Sequence, residues 1–299
     1  MNSPDSPPSA PTDDTLERLG DRTIDRRRLF GLAAAAAAGG VLAACGGDES
    51  SDPEFLLVQR FSPTSLIPGD VRLPFSLSRD AELLNDGPAV LNAQILDQDG
   101  GVVLDSVTAT RRDVNPFAYY AFRAQLPDAG IYSLVVEDGP PEGAQFQLID
   151  PRGMSIPVVG DEMPALETPT FDDQRGVDPI CTLEPECDFH YISLDDALET
   201  GNPIAFLVGT PAFCATGTCI PALDALISVS GAFIERMEFI HAEVYTDLNA
   251  STLSPTVESL ALPFEPVLYV VGGDGRVMSR LDAIWNEEEL SEVLDSAVG

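Results

Sequence analysis

Four cysteines in the C-terminal half of the chain, Cys181, Cys187, Cys214 and Cys219, carry side chains able to do redox or metal chemistry, and a fifth, Cys45, lies near the N-terminus. Cys214 and Cys219 stand in the stretch GTPAFCATGTCIPALDAL, ahead of an apolar run. A disulfide needs its two Cα atoms about 4.4–6.8 Å apart. Five steps of regular helix rise about 7.5 Å, at about 1.5 Å each, so both cysteines cannot sit in one regular helix. Closure requires a loop at 215–217, which Gly217 can fold back, with Thr218 capping a helix that starts at Cys219 and Pro221 tolerated in its first turn. A helix N-terminus lowers the pKa of a nearby thiol, the property that turns a cysteine pair into a nucleophile.

The elements that would position this pair follow from pattern. Ile204–Gly209 is a continuous apolar strand of the type buried on both faces. Pro221–Phe233 reads as a helix, MEFIHAEVY as a second strand with His241 in it, and PTVESLAL as a short helix. EPVLYVVGGDGRVMSRLD reads as a hairpin turning at Gly272–Gly275, and NEEELSEVLDSAV as a terminal helix capped by Asn286. This order predicts an α/β domain over residues 181–299, its start reaching back to about 158, with a parallel core and an antiparallel hairpin. Residues 55–151 alternate and turn often, with a hairpin turn at Gln98–Gly101. They predict an all-β immunoglobulin-like sandwich in which Phe117, Tyr119 and Tyr120 are core and edge aromatics. Residues 152–180 are rich in proline and acids and read as a linker.

The 299 residues are 44% apolar and 22% charged, a globular composition, with a net charge of −33 and arginine as the only strong base. Such a surface repels phosphates, so nucleic acid is not an expected partner. At the N-terminus, Arg26-Arg27-Arg28 precede a weakly apolar run, Leu29–Ala44, too short for a spanning helix. This order has the pattern of a twin-arginine signal peptide over residues 1–44. Leu42-Ala43-Ala44-Cys45 resembles the lipobox of bacterial lipoproteins. That resemblance implies cleavage before Cys45, lipid on its sulfur, residues 45–54 as a tether, and a location on the extracytoplasmic face of the membrane.

The C-terminal order, with a cysteine pair between its first strand and helix, resembles the thioredoxin fold. Pro266, opening the third strand in Phe264-Glu265-Pro266-Val267, matches the position where that family keeps a cis-proline facing the active site. The resemblance implies thiol–disulfide exchange with exported protein or small-thiol clients through Cys214 and Cys219, with Pro266 lining the substrate groove. It implies no cofactor, and a membrane reductant as one further partner. The chain departs from the family in its four-residue spacer, in Phe213 where the family has tryptophan, and in having no acid in Ile204–Leu207. By analogy Cys214 attacks and Cys219 resolves, whereas the helix dipole favours Cys219 as the better thiolate; the sequence leaves both open.

Two other readings compete for these residues. One is a non-catalytic envelope-binding lipoprotein whose bridges are structural; the other, with less support, is a copper-binding assembly factor. A peroxidase is disfavoured, because the proline and threonine that orient a peroxide are missing from their positions. For Cys181 and Cys187 the expectation is a structural disulfide and no metal. A Cys181, Cys187, His190 site is the weaker alternative, because paired zinc ligands usually stand two to four residues apart.

Overall fold

Alternating apolar residues between Leu56 and Leu148 build eight antiparallel strands in the computed structural model, which describes residues 54–299. The strands are β1 (Leu56–Gln59), β2 (Gly69–Arg79), β3 (Glu82–Leu84), β4 (Val90–Asp97), β5 (Val102–Val114), β6 (Phe117–Leu126), β7 (Gly130–Val136) and β8 (Ala144–Leu148). The region is all-β, as expected. The strands form one connected path, β1-β2-β6-β5-β4-β7-β8, with β3 paired to the end of β2 off that path. The cause is the length of β5. Its first part pairs with β4 and its end, Arg111–Val114, with β6, so one strand joins what would otherwise be two sheets. Phe75 and Phe122 from one part share a single core with Ile95 and Leu134 from the other. Tyr119 and Tyr120 are buried and Phe117 is half-buried.

The C-terminal region is α/β. Its helices are α1 (Leu194–Thr200), α2 (Cys219–Ser230), α3 (Pro255–Leu260) and α4 (Glu287–Val298). Its strands are β9 (Ile204–Val208), β10 (Glu238–Ala242), β11 (Val267–Val271) and β12 (Val277–Asp282), in sheet order β10-β9-β11-β12. β10 runs parallel to β9, whereas β11 is antiparallel to both β9 and β12. This is the parallel core and hairpin that the sequence implies. Strand β9 is buried throughout because alternate residues feed two cores. Ala205 and Leu207 pack with Leu223, Leu226 and Trp285, while Ile204, Phe206 and Val208 pack with Leu194, Val257 and Leu260. Helix α1 has no counterpart in the sequence reading. At seven residues, with three acids and one apolar pair buried, it gives little periodicity to detect.

The segment read as a linker is irregular but packed. Gly160 donates to the Val277 carbonyl, Met163 to the Gly275 carbonyl, and Ile156 and Met163 enter the core beside β12. It is therefore an integral edge of the α/β region.

The β-rich and α/β regions are joined by a buried ion pair. Arg72 on β2 binds both carboxylate oxygens of Glu289 on α4, at 2.7 Å each. Its guanidinium also donates to the carbonyls of Asp282 and Ile284. Glu289 accepts from the Tyr119 hydroxyl at 2.7 Å, and the Asn286 amide donates to the same hydroxyl. Burial raises the Glu289 pKa, but the charge and hydrogen bonds of Arg72 outweigh it and hold the carboxyl at about 2. Arg280 adds a second tie by donating to the carbonyls of Ser65 and Pro157. Among the described residues no helix is long and apolar enough to cross a membrane. The signal segment, Cys45 and the tether up to Pro53 lie outside the described residues.

Candidate active site

Strand β9 ends at Val208, and the chain then turns through Gly209–Thr218 before α2 begins at Cys219. Cys214 and Cys219 are joined as a disulfide with their Cα atoms 5.9 Å apart. The closure follows the route the sequence implies. Gly217 takes a left-handed φ of 69°, Cys219 is the first residue of α2, and Thr218 is its N-cap. One detail differs. The Thr218 hydroxyl bonds to Thr216, at 2.7 Å, and makes no capping bond. A free N–H at the helix start, that of Cys219, points instead at Cys214 Sγ, at 3.2 Å. An N–H aimed at a sulfur favours its thiolate, so the helix terminus acts on Cys214 as well as on Cys219.

The two sulfurs differ in access. Cys219 is 2% exposed, whereas Cys214 is half-buried beside the exposed loop 215–217. Cys214 is therefore the more accessible sulfur. A Cβ built on Gly209 would lie 3.3 Å from Pro266 Cβ and 3.6 Å from Cys219 Sγ, so the strand end, the proline and the buried cysteine pack directly on one another. The Glu265–Pro266 peptide is cis. Phe117 of β6 reaches the same loop from the β-rich region, 3.6 Å from the position a Cβ on Gly217 would occupy.

Glu265 is the site residue that the sequence reading missed. Its Oε2 accepts from the Thr210 amide at 2.7 Å and faces Cys219 Sγ at 3.4 Å. Burial pushes its pKa up to about 7, helped by the neighbouring charge of Glu243 and opposed by the Thr210 hydrogen bond. A carboxyl that titrates near neutrality against a buried thiol can take up and return a proton. Ile204–Leu207 holds no acid, whereas Glu265 lies on the bend immediately before Pro266 and β11. Its adjacency to that proline was the one available signal.

Cys181 and Cys187 do not form the expected bridge. Both are free and buried, with their sulfurs 3.8 Å apart, well beyond a covalent bond. His190, which the weaker metal alternative already included, and His241, which it did not, complete the group. Cys187 Sγ lies 3.3 Å from His190 Nε2 and 3.5 Å from His241 Nδ1. Backbone pairing brings them together, since the His241 amide donates to the Phe189 carbonyl and lays residues 189–190 along β10. This group touches the Gly209–Thr218 loop at two points. His241 Nε2 lies 2.9 Å from the Gly209 carbonyl, and the Thr182 hydroxyl bonds both to Glu243 and to the Ala212 amide.

No protein-family model matches the chain, and no curated protein matches it. Among solved structures, the chain is similar to a thiol:disulfide interchange protein of the thioredoxin family from Chlorobium tepidum TLS. The likeness has 13% identity and a TM-score of 0.34, and it covers 48% of this chain and all of that one. A likeness of this degree says nothing of activity.

Proposed function

We propose that the chain is a thiol–disulfide oxidoreductase acting through Cys214 and Cys219, with Glu265 as the proton carrier of the buried sulfur. The observation that carries this reading is the 3.4 Å approach of the Glu265 carboxyl to Cys219 Sγ, next to a cysteine pair at a helix start. A permanent bridge has no use for a half-ionised carboxyl against one of its sulfurs.

The steps balance without a cofactor. In the dithiol form the Cys214 thiolate attacks one sulfur of a client disulfide, and the other client sulfur leaves as a thiolate. Glu265 takes the proton of the Cys219 thiol. The Cys219 thiolate then attacks Cys214 Sγ, which restores the 214–219 disulfide and expels the second client thiolate, and that thiolate takes up the proton from Glu265. The same steps in reverse oxidise a client dithiol. Gly209 and Pro266, both buried, do not line a groove; they pack behind Cys219 and back the loop that presents Cys214 to a client. The proposal extends to the chain's address: lipid on Cys45, an extracytoplasmic position, exported protein or small-thiol clients, and a membrane reductant that recycles the site. The β-rich region then serves as the spacer between lipid and active site.

The experiment is trapping. A Cys219→Ser variant lacks the resolving sulfur and accumulates a mixed disulfide on Cys214 with a model peptide disulfide, stable on the minutes scale, while Cys214→Ser forms none. Equal adduct on the two variants, or none on either, would contradict the reading.

A further inference from the structure

We infer that Cys181, Cys187, His190 and His241 form a four-coordinate binding site for a zinc ion, separate from the redox pair. All four residues are buried, and their ligand atoms lie within 4.8 Å of one another.

Three of the six ligand-to-ligand spacings match those a tetrahedral zinc ion would impose. A tetrahedral zinc ion holds thiolate sulfurs at about 2.3 Å and imidazole nitrogens at about 2.0–2.1 Å, which sets sulfur to sulfur at about 3.8 Å and sulfur to nitrogen at about 3.5 Å. The corresponding distances here are 3.8 Å between the sulfurs, and 3.3 and 3.5 Å from Cys187 Sγ to the two nitrogens.

The surroundings fit the same reading. The Gly209 carbonyl can only accept, so His241 carries its proton on Nε2, and the lone pair of Nδ1 points to the cluster. A backbone carbonyl on the far nitrogen is the usual orienting partner of a ligating histidine. The Cys187 amide donates to Cys181 Sγ at 3.5 Å, as it would to a thiolate. His190 is fully buried and its Nε2 faces only a sulfur. Thiols are weak hydrogen-bonding groups, so without a ligand this imidazole lies buried almost unsatisfied. Four protein ligands leave no open position, which makes the site structural. The soft sulfurs and imidazoles select against calcium and magnesium. The ion would pin the irregular segment 181–190 to β10 and, through Thr182 and Gly209, brace the loop that carries Cys214.

The test uses the full chain carrying Cys214→Ser and Cys219→Ser, so that only the second cysteine pair is present in the folded domain. Purified reduced and metal-free, it is titrated with Co2+ and then with Zn2+. The expected result is one Co2+ per chain, with thiolate charge-transfer absorption and the intense visible bands of four-coordinate cobalt, displaced by one equivalent of Zn2+. His241→Ala and Cys187→Ser should weaken binding by at least about 100-fold, since even outer-shell partners of a metal are worth about 10–100-fold. His190→Cys should retain one ion with stronger charge-transfer absorption, which guards against variants that merely misfold. The inference is overturned if cobalt gives only weak six-coordinate bands, or if binding survives the loss of Cys187 and His241. A 181–187 disulfide in the oxidised, unsubstituted chain, found by mass mapping without bound metal, overturns it as well. None of these outcomes depends on exchange at Cys214 and Cys219.

Discussion

Replacing Glu265 by glutamine separates the proposed proton carrier from the rest of the site. Glutamine keeps an oxygen to accept from the Thr210 amide and keeps the volume, but it cannot take a proton from Cys219. Positioned general bases are worth about 10²–10⁴-fold, and the 3.4 Å contact to a polarisable sulfur argues for the lower end, so resolution should slow by about 100-fold at pH 7. The assay is a stopped-flow reaction of the reduced chain with an aromatic disulfide, quenched in acid and mapped by mass. Cys214 attack releases the first aromatic thiol, and Cys219 resolution releases the second. Glu265→Gln should leave the first phase within about twofold and slow the second. In the unsubstituted chain the second phase should rise with pH through about 7, where the carboxyl ionises, and the variant should lack that step. Stability gives an independent sign. The native carboxyl titrates near 7 and its unfolded counterpart near 4.5, so the native state holds more protons between these values and stability falls as pH rises through that window. The full shift corresponds to about 3 kcal/mol; partial solvent access reduces this to about 1–2 kcal/mol. Glu265→Gln should therefore be more stable than the parent at pH 8 by that amount and should show no gain at pH 4. Unchanged resolution together with unchanged stability would refute the role given to Glu265.

The buried Arg72–Glu289 pair makes a second prediction. Arg72→Ala should cost about 3–5 kcal/mol in denaturant unfolding, because it leaves Glu289 buried and unpaired, whereas Arg72→Met with Glu289→Leu should cost much less or nothing. Glu289 is held at about 2 in the folded chain, so the contribution of the pair is present above about pH 4.5 and should fade as pH drops towards 2, readable as a falling midpoint in acid. At the redox loop, Gly217→Ala should destabilise the oxidised chain by about 1 kcal/mol, since its φ of 69° disfavours a side chain while the space beside Phe117 admits one. Chemical denaturation of the oxidised and reduced forms would show that loss mainly in the oxidised form.

Local chemistry was readable in the sequence wherever neighbours along the chain decide it. The Cys214–Cys219 closure, its dependence on Gly217, the helix start at Cys219 and the Asn286 cap follow from spacing and residue type, and the structure has each of them. The order of β9, α2, β10, α3, β11, β12 and α4 also follows from apolar pattern alone. What stayed hidden depends on pairing at a distance. His241 meets Cys187 across 54 residues, because residues 189–190 run beside β10. Glu265 meets Cys219 across 46 residues, because β11 lies against β9. The 181–187 bridge was the natural expectation from two nearby cysteines, and the approach of both histidines to them arises only from the fold. In the β-rich region alternation marks the strands, but it does not say that one long strand, β5, serves two partners.

The central claim is that Cys214 and Cys219 are a working couple and not a staple. A redox titration of the full chain, with alkylation and mass mapping of each cysteine, tests it most directly. The account predicts that 214–219 titrates as a two-electron couple between about −120 and −270 mV, the range of known oxidoreductases. A potential below about −300 mV for this pair would contradict it and would make the disulfide a structural bridge.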